Sequence, residues 1–299
     1  IVDSQDLHLN ISRETLQHNS QLRAIAKKVE KKILSEIERM LANDREAYEK
    51  FFENFGRSIK YGIYMAYGMN KEELGKLLMF YSAKEGKMLT LDEYIAAMPE
   101  DQDAIYYAAG ESTARLSNMP IVTTVLNRGY DVMLCTQDVD EFCIQSMMEY
   151  QGKQLRNVAG ADLGLETEAD KTAAEQVAQD NEGLLGAVKE ALGDAVTKVA
   201  VSTRLTGLPS CITAEGPISL EMEKLLSMMP EGKDVKSQRV LELNADDPVF
   251  AVMQQAQEAG DAEKVARYAR MLYNQALLVE GMPIEDPVAF AKDIADLMR

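Results

Sequence analysis

The sequence has few of the residues that build metal centres and disulfides. Its 299 residues include no tryptophan, two histidines (His8 and His18), and three cysteines (Cys135, Cys143 and Cys211) without a CxxC pair. Two histidines are too few for a histidine-rich metal centre, and an odd set of scattered cysteines argues against a structural disulfide or a zinc site. We therefore predict no metal ligands and a reducing, cytoplasmic location.

Long apolar runs and an excess of basic residues are also missing. No run approaches the ~18 apolar residues of a membrane span, and the start lacks a signal-peptide pattern. Lysine and arginine number 32 against 49 acidic residues, a net charge of −17. No basic surface is then available for a nucleic-acid backbone or an anionic membrane, so we predict neither partner. The chain begins at Ile1, as expected of an excised piece or of a processed protein alike.

Helix-forming residues dominate the first hundred positions. Apolar residues recur every three or four positions over 22–41, which predicts a long amphipathic helix. Asp44 is placed to cap a second helix that carries three phenylalanines. Asn70–Glu73 and Thr90–Glu93 have the pattern of capping boxes, the first before a helix expected to contain Leu74, Leu77, Leu78 and Tyr81.

The pattern changes near position 104. Residues 104–108 and 131–135 form short β-type runs with helical sequence between them, and a further helix is predicted over 141–150. A strand, a helix and a strand at this spacing indicate a parallel βαβ unit. Residues 196–205 and 240–243 also have strand character, within helical sequence. We therefore predict a mixed α/β and α+β fold, with enough chain for about two domains.

The last two predicted helices have apolar faces. Two short helices at a chain end bury little surface alone, so they either dock on their own domain or pair with a second copy as a four-helix bundle. The apolar positions that would form the dimer are Val265, Tyr268, Leu272, Ala276, Phe290, Ile294 and Leu297.

Common catalytic motifs are missing. There is no GxxxxGK loop, no GxGxxG after a strand and no GxSxG elbow. IYYAAGES at 105–112 has the ordinary shape of a βα loop. Arg13, in LNISRETLQ, precedes the first helix, where an arginine is usually a surface residue.

The segment 2–33 resembles the middle domain of the ninety-kilodalton heat-shock chaperones, whose pattern VDSxDLPLNxSRExLQ is matched except that His8 stands in the place of the proline. Further matches occur in order along the whole chain. They are Lys60–Gly62, Leu91–Tyr94, Ile105–Tyr107, Gly110–Ser112, Gly129–Val132, Asp140–Phe142, Ser202–Leu205 and Asn274–Leu278.

The resemblance implies a division into three parts. Residues 1–160 would be the later part of a chaperone middle domain, with a helical segment at 1–100 and a small α/β unit at 101–160. Residues 161–172, which are acidic and lack periodicity, would be a linker. Residues 173–299 would be a C-terminal dimerisation domain that makes the chain a homodimer.

The resemblance also implies that Arg13, with Gln17 beside it, acts on ATP held by a separate N-terminal domain. A guanidinium is always ionised and can stabilise charge on a transferring phosphoryl group. We therefore expect this chain to hold no cofactor and to have no enzyme activity by itself. ATP and magnesium belong to the full-length protein.

Two segments are candidates for holding unfolded or partly folded client proteins. Residues 218–229, ISLEMEKLLSMM, are apolar around much of a helix, which is typical either of a core helix or of an adaptable binding surface. Phe142 is either a core residue or an apolar anchor with polar neighbours. The client-binding residues implied by the resemblance are Glu141, Phe142, Gln145, Ile218, Met222, Leu225 and Leu226.

Two other functions stay open from the residues alone. A self-contained cytoplasmic α/β enzyme would use the βαβ unit near residues 105–112, and a cofactor would stabilise it. An acidic helical adaptor would carry no chemistry and would bind a defined peptide. Without the resemblance, the sequence does not rank the three functions.

Overall fold

The protein has a mixed α/β architecture built on two mixed β-sheets. A computed structural model describes residues 20–161, 163–205, 207–230, 232 and 234–298. Helices alternate with strands through this part of the chain, so the predicted mixed fold class is confirmed.

The first half of the chain forms a six-stranded sheet with helices on both faces. Its helices are α1 (Ser20–Asn43), α2 (Arg45–Met65), α3 (Lys71–Leu74), α4 (Leu91–Ala97), α5 (Thr113–Ser117), α6 (Pro120–Asn127) and α7 (Asp140–Met147). Its strands are β1 (Met79–Ser82), β2 (Met88–Thr90), β3 (Ala104–Ala109), β4 (Val132–Cys135), β5 (Glu149–Tyr150) and β6 (Lys153–Asn157). The strand order is β2-β1-β4-β3-β6-β5.

The predicted βαβ unit is present. Strands β3 and β4 are parallel, with Tyr107 opposite Met133, and β6 adds in parallel on the other side of β3. Alternate residues of β3 enter different cores: Tyr107 packs in the core cluster that contains residues of α2 and α7, and Tyr106 in the one that contains residues of α5 and α6. This alternation follows from the two-residue repeat of a strand, and it fixes α7 on one face of the sheet.

Several helix starts follow the predicted chemistry. The side chain of Asp44 accepts a hydrogen bond from the backbone N–H of Ala47 at the start of α2. Thr90 and Glu93 form a reciprocal capping box at α4, and Pro120 occupies the first turn of α6. The two side-chain caps pair backbone N–H groups that a helix start leaves without a partner, and proline has no N–H group to pair.

The helix predicted through Tyr81 is wrong. Helix α3 ends at Leu74, one 3-10 turn follows, and the chain then enters β1. Asn70 makes no side-chain cap. Residues 77–80 are all buried, and a run buried on every side carries no period that distinguishes a helix from a strand.

The second half of the chain surrounds a three-stranded sheet. Its helices are α8 (Glu168–Asp180), α9 (Glu182–Leu192), α10 (Leu220–Ser227), α11 (Pro248–Glu258), α12 (Ala262–Glu280) and α13 (Pro287–Leu297). The strands β7 (Lys198–Val201), β8 (Ser210–Glu215) and β9 (Gln238–Leu243) lie in the order β7-β9-β8. Residues of α9, α11 and α12 share one core with these strands.

The segment predicted as a linker is packed at its start and helical at its end. Leu163 and Leu165 are buried in the core of the first half, and α8 begins at Glu168 behind the side-chain cap of Thr167. The division into domains stays a prediction. Arg204 joins the two halves because it donates to the carbonyl of Gly160 at 2.8 Å, next to a parallel bridge between that residue and β8.

A buried ion pair fixes α2 against α7. Lys60 Nζ lies 2.6 Å from Asp140 Oδ1, and both side chains are 3% exposed. The ammonium also donates to Gln137 Oε1 at 2.9 Å and lies 4.6 Å from the centre of the Phe80 ring. Burying two charges costs several kcal/mol, so either charge left alone would be strongly unfavourable.

We expect Lys60→Met to lower the free energy of unfolding by about 3–5 kcal/mol, because it leaves Asp140 buried without its counter-ion. The double variant Lys60→Met/Asp140→Leu should regain most of that loss, since no charge is then buried. Urea unfolding of both variants and wild type measures the difference. A Lys60→Met protein as stable as wild type would contradict the role given to the pair.

Candidate functional site

An apolar groove of about 570 Å³ lies between α2, α7 and α10. Its walls come from both halves of the chain. The lining residues are Arg57, Ser58, Tyr61, Tyr64, Asp138, Val139, Phe142, Leu225, Leu226, Met228 and Met229. The structure therefore brings three of the predicted client-binding residues, Phe142, Leu225 and Leu226, into one cavity.

The aromatic wall of the groove is set by helix geometry. Tyr61 and Tyr64 follow Lys60 on α2, and Phe142 lies two residues after Asp140 on α7. The rings of Tyr64 and Phe142 are tilted, with centroids 5.5 Å apart, a favourable arrangement for two aromatic rings. The buried ion pair thus holds the two aromatic segments side by side.

Helix α10 forms the opposite wall. Ser219 caps it by accepting a hydrogen bond from the backbone N–H of Met222. Leu225 and Leu226 are half-buried in the groove, and the side chain of Met222 is buried. Ile218, in the turn before the cap, is half-buried and does not line this groove.

Glu141 is a buried residue of α7 whose hydrogen bonds hold this helix on the sheet. Its side chain is 1% exposed, and its Oε1 accepts hydrogen bonds from Tyr107 Oη at 3.0 Å and Asn157 Nδ2 at 3.2 Å. Burial raises the pKa of this carboxyl, although these hydrogen bonds oppose the shift. Gln145 is half-buried and donates to the same oxygen at 3.2 Å. These contacts orient α7 on the sheet, and neither residue lines the apolar groove.

A second cavity, of about 630 Å³, lies on another side of α7. Its lining residues include Glu141, Gln145, Met148 and Ser219. Its walls mix amide, hydroxyl and apolar groups. It therefore lacks the continuous apolar wall of the first groove.

The predicted dimerisation residues separate into two groups. Val265, Leu272 and Ala276 are buried in the core of their own chain, and Tyr268 packs against that core. These core side chains are not available to a second copy. On α13, by contrast, Phe290 is half-buried, and Ile294 and Leu297 are exposed.

Arg13 and Gln17 lie outside the described residues, as do both histidines. Within the described ranges, no group of three or more His, Cys, Asp or Glu side chains could hold a metal ion. None of the helices described there has the length and apolarity needed to cross a membrane.

Charged groups meet where the two halves of the chain contact each other. Arg115, on α5, donates to the carbonyls of Leu278 and Val279 near the end of α12, where the helix dipole favours a cation. Burial raises the pKa of the nearby Glu280 carboxyl to about 7, although Lys224 and Arg115 oppose the shift. Glu280 therefore changes charge near neutral pH.

The family of the chain follows from comparison with known proteins. The family model described as "Hsp90 protein" matches residues 1–299. Proteins named "Chaperone protein HtpG" from Clostridium perfringens and Clostridium acetobutylicum are 51% and 48% identical over 299 residues. The protein of that name from Bacillus subtilis is 46% identical over 298 residues.

These alignments cover the full chain and 47% of each relative, so the chain spans about half the length of the curated relatives it matches. The chain belongs to the Hsp90 family of molecular chaperones. The resemblance inferred from the sequence is confirmed.

Sequence reasoning missed part of the groove, namely Tyr61, Tyr64, Met228 and Met229. One pattern could have revealed the tyrosines. On α2 the buried positions include Phe52, Gly56, Lys60 and Ile63, so Tyr61 and Tyr64 fall beside this face, where polar residues are usual. Exposed aromatic residues on such a helix indicate a binding surface.

We expect Glu280→Gln to flatten the pH dependence of stability. In the folded wild-type protein the pKa of the Glu280 carboxyl is raised from 4.5 to about 7, so the folded state binds this proton more tightly than the unfolded state. The free energy of unfolding therefore falls as the pH rises from about 4.5 to about 7. Above pH 7 the variant should be more stable by up to about 3 kcal/mol. Urea unfolding at pH 5 and pH 8 measures this, with Glu258→Gln, an exposed position, as the control. Equal slopes in both variants would disprove the assignment.

Proposed function

We propose that this chain is the client-binding and dimerising half of an ATP-dependent chaperone. The groove between α2, α7 and α10 would hold apolar segments of unfolded or partly folded proteins. One observation carries the proposal: Phe142 from the first half and Leu225 and Leu226 from the second line a single cavity that is open to solvent.

The composition of the groove suits many different partners. Met228 and Met229 are flexible and polarisable, and the tyrosine rings offer apolar faces with a polar edge. Arg57 and Asp138 form an ion pair at the groove, which adds a polar border. An adaptable apolar surface with few fixed hydrogen-bonding groups gives low specificity, as client holding requires.

We expect Tyr61→Glu to weaken capture of an unfolded protein by about tenfold, because a carboxylate in the groove must lose water when an apolar segment binds. Phe55→Glu is the matched control, since Phe55 lies on the same helix, is equally exposed and does not line the groove. Fluorescence anisotropy with a labelled, reduced and carboxymethylated α-lactalbumin measures capture. Equal losses in both variants would remove the groove from the proposal.

The dimer would form through α13. An ion pair between Arg270 and Asp293, at 3.6 Å, connects this helix to α12, while the side chains of Ile294 and Leu297 are 37% and 41% exposed. Val288 is also exposed on the same helix. An apolar helix face without a partner in its own chain favours association with a second copy. Helix α12 would contribute by supporting α13 within each chain.

We expect Ile294→Glu/Leu297→Glu to weaken dimerisation by at least about 100-fold, because association would bury two carboxylates. Lys292→Glu is the control, since it also makes the helix more acidic but lies on its opposite side. Sedimentation equilibrium measures the dimer dissociation constant. A double variant that remains dimeric would exclude α13 as the interface.

Arg13, with Gln17 beside it, would act on ATP and magnesium held by a nucleotide-binding domain of the full-length chaperone. The proposal rests on the match of residues 2–17 to the family pattern. A fixed cation delivered from another domain stabilises the transferring phosphoryl group and leaves nucleotide binding nearly unchanged. This chain alone would then be a binding module without ATPase activity. Its location would be the cytoplasm, consistent with three free cysteines.

We expect Arg13→Ala in the full-length protein to lower ATP turnover by about 10³-fold, as for other arginines that act on a phosphoryl group. Nucleotide affinity should stay within about twofold of wild type. A coupled ATPase assay and equilibrium binding of ATP give the two values, with Arg23→Ala as a control on the exposed side of α1. Wild-type turnover in Arg13→Ala would remove the role of this residue.

A further inference from the structure

Two exposed methionines lie in the groove that is proposed to bind client proteins. Of the 17 methionines, six are exposed: Met65, Met69, Met148, Met228, Met229 and Met298. Met228 and Met229 line the groove, 79% and 50% exposed. The remaining eleven methionines are buried or half-buried. Two of the six exposed thioethers therefore belong to the groove, and the other four lie outside it.

The thiols of the chain are less exposed than these thioethers, since Cys135 and Cys143 are buried and Cys211 is half-buried. The thiolate is the reactive form of cysteine, and burial raises the pKa of Cys143 to about 12 and raises those of Cys135 and Cys211 well above the usual value. A thioether reacts without losing a proton, so its reactivity does not depend on a pKa and requires only that the sulfur be accessible. A mild oxidant should therefore reach Met228 and Met229 before any cysteine.

We propose that Met228 and Met229 are a site of reversible oxidation by peroxides, and that their oxidation weakens client binding in the groove. This inference rests on the proposed function of the groove. In each reaction a sulfur lone pair attacks one oxygen of hydrogen peroxide, the O–O bond breaks, and the products are the sulfoxide and water. The sulfur is oxidised by two electrons and the peroxide is reduced.

The physical effect of the reaction follows from the change in polarity. A sulfoxide is polar and accepts hydrogen bonds from water, so an apolar client segment must displace that water to bind. Both residues lie at the end of α10, which is also where Leu225 and Leu226 enter the groove. Two adjacent sulfoxides would therefore interrupt the apolar wall opposite Phe142 without disturbing the buried core.

The test begins with the wild-type chain in dilute hydrogen peroxide, followed by peptide mass analysis. We expect one added oxygen at each of Met228 and Met229. We expect none at the methionines that are at most 2% exposed, which are Met79, Met133, Met147 and Met253. Capture of labelled, reduced and carboxymethylated α-lactalbumin is then measured before and after oxidation. The treated protein should bind it at least about fivefold more weakly.

The decisive comparison uses Met228→Leu/Met229→Leu, which keeps the groove apolar but cannot form sulfoxides. For each protein, capture after peroxide is divided by its own capture before treatment. We expect this ratio to stay near one in the double variant and to fall in wild type and in Met65→Leu/Met69→Leu, which changes two exposed methionines outside the groove lining.

The outcomes separate the two proposals. If the untreated wild-type chain does not capture the unfolded protein, the proposed client groove fails. If it captures the protein but peroxide lowers capture equally in the double leucine variant, or if Met228 and Met229 gain no oxygen, the oxidation site fails while the groove stands. Recovery of capture after enzymatic reduction of the sulfoxides supports reversibility, and persistent loss overturns it.

Discussion

The contact between Lys60 and Asp140 is the constraint on which the arrangement of the groove depends. Two charges that are both 3% exposed are tolerable only as a pair, so α2 and α7 cannot separate without a large penalty. Each charge lies within four residues of an aromatic ring of the groove, and the Tyr64 and Phe142 rings are 5.5 Å apart as a result. A polar interaction in the core therefore determines the shape of an apolar surface.

The groove also depends on how the two halves of the chain meet. Its aromatic wall belongs to the first half and α10 to the second, so any rotation between the halves changes its width. Arg204 and Arg115 resist such a rotation because each donates to backbone carbonyls across the junction. Glu280 lies beside the second of these contacts, and its charge varies near neutral pH.

Local sequence patterns predicted several elements of the fold. The long helix over 22–41, the capping box at Thr90 and the parallel pairing of β3 with β4 are confirmed because each leaves a short-range pattern. The prediction was wrong over residues 75–82, where burial on every side removes the periodicity. The hairpin of β1 and β2 was missed for this reason.

The candidate site was predictable only in part. The helix of residues 218–229 was recognised, but its period does not show which apolar side chains face the core, and Met222 proved to be buried. Glu141 was expected among the client-binding residues, but the sequence could not show that it is buried, because its hydrogen-bonding partners Tyr107 and Asn157 come from strands distant in sequence. The approach of α2 to α10 is likewise a long-range contact, so the sequence could mark Tyr61 and Tyr64 as aromatic residues beside the buried face of α2 but could not place them in a groove with α10.

The lengths of the outer strands of the six-stranded sheet have a consequence for the client binding proposed above. The six-stranded sheet ends in β2, of three residues, and β5, of two residues. An extended foreign polypeptide finds there too few free backbone groups to add a stable strand. At the edges of this sheet, the proposed client binding would then proceed through side chains and not by strand addition.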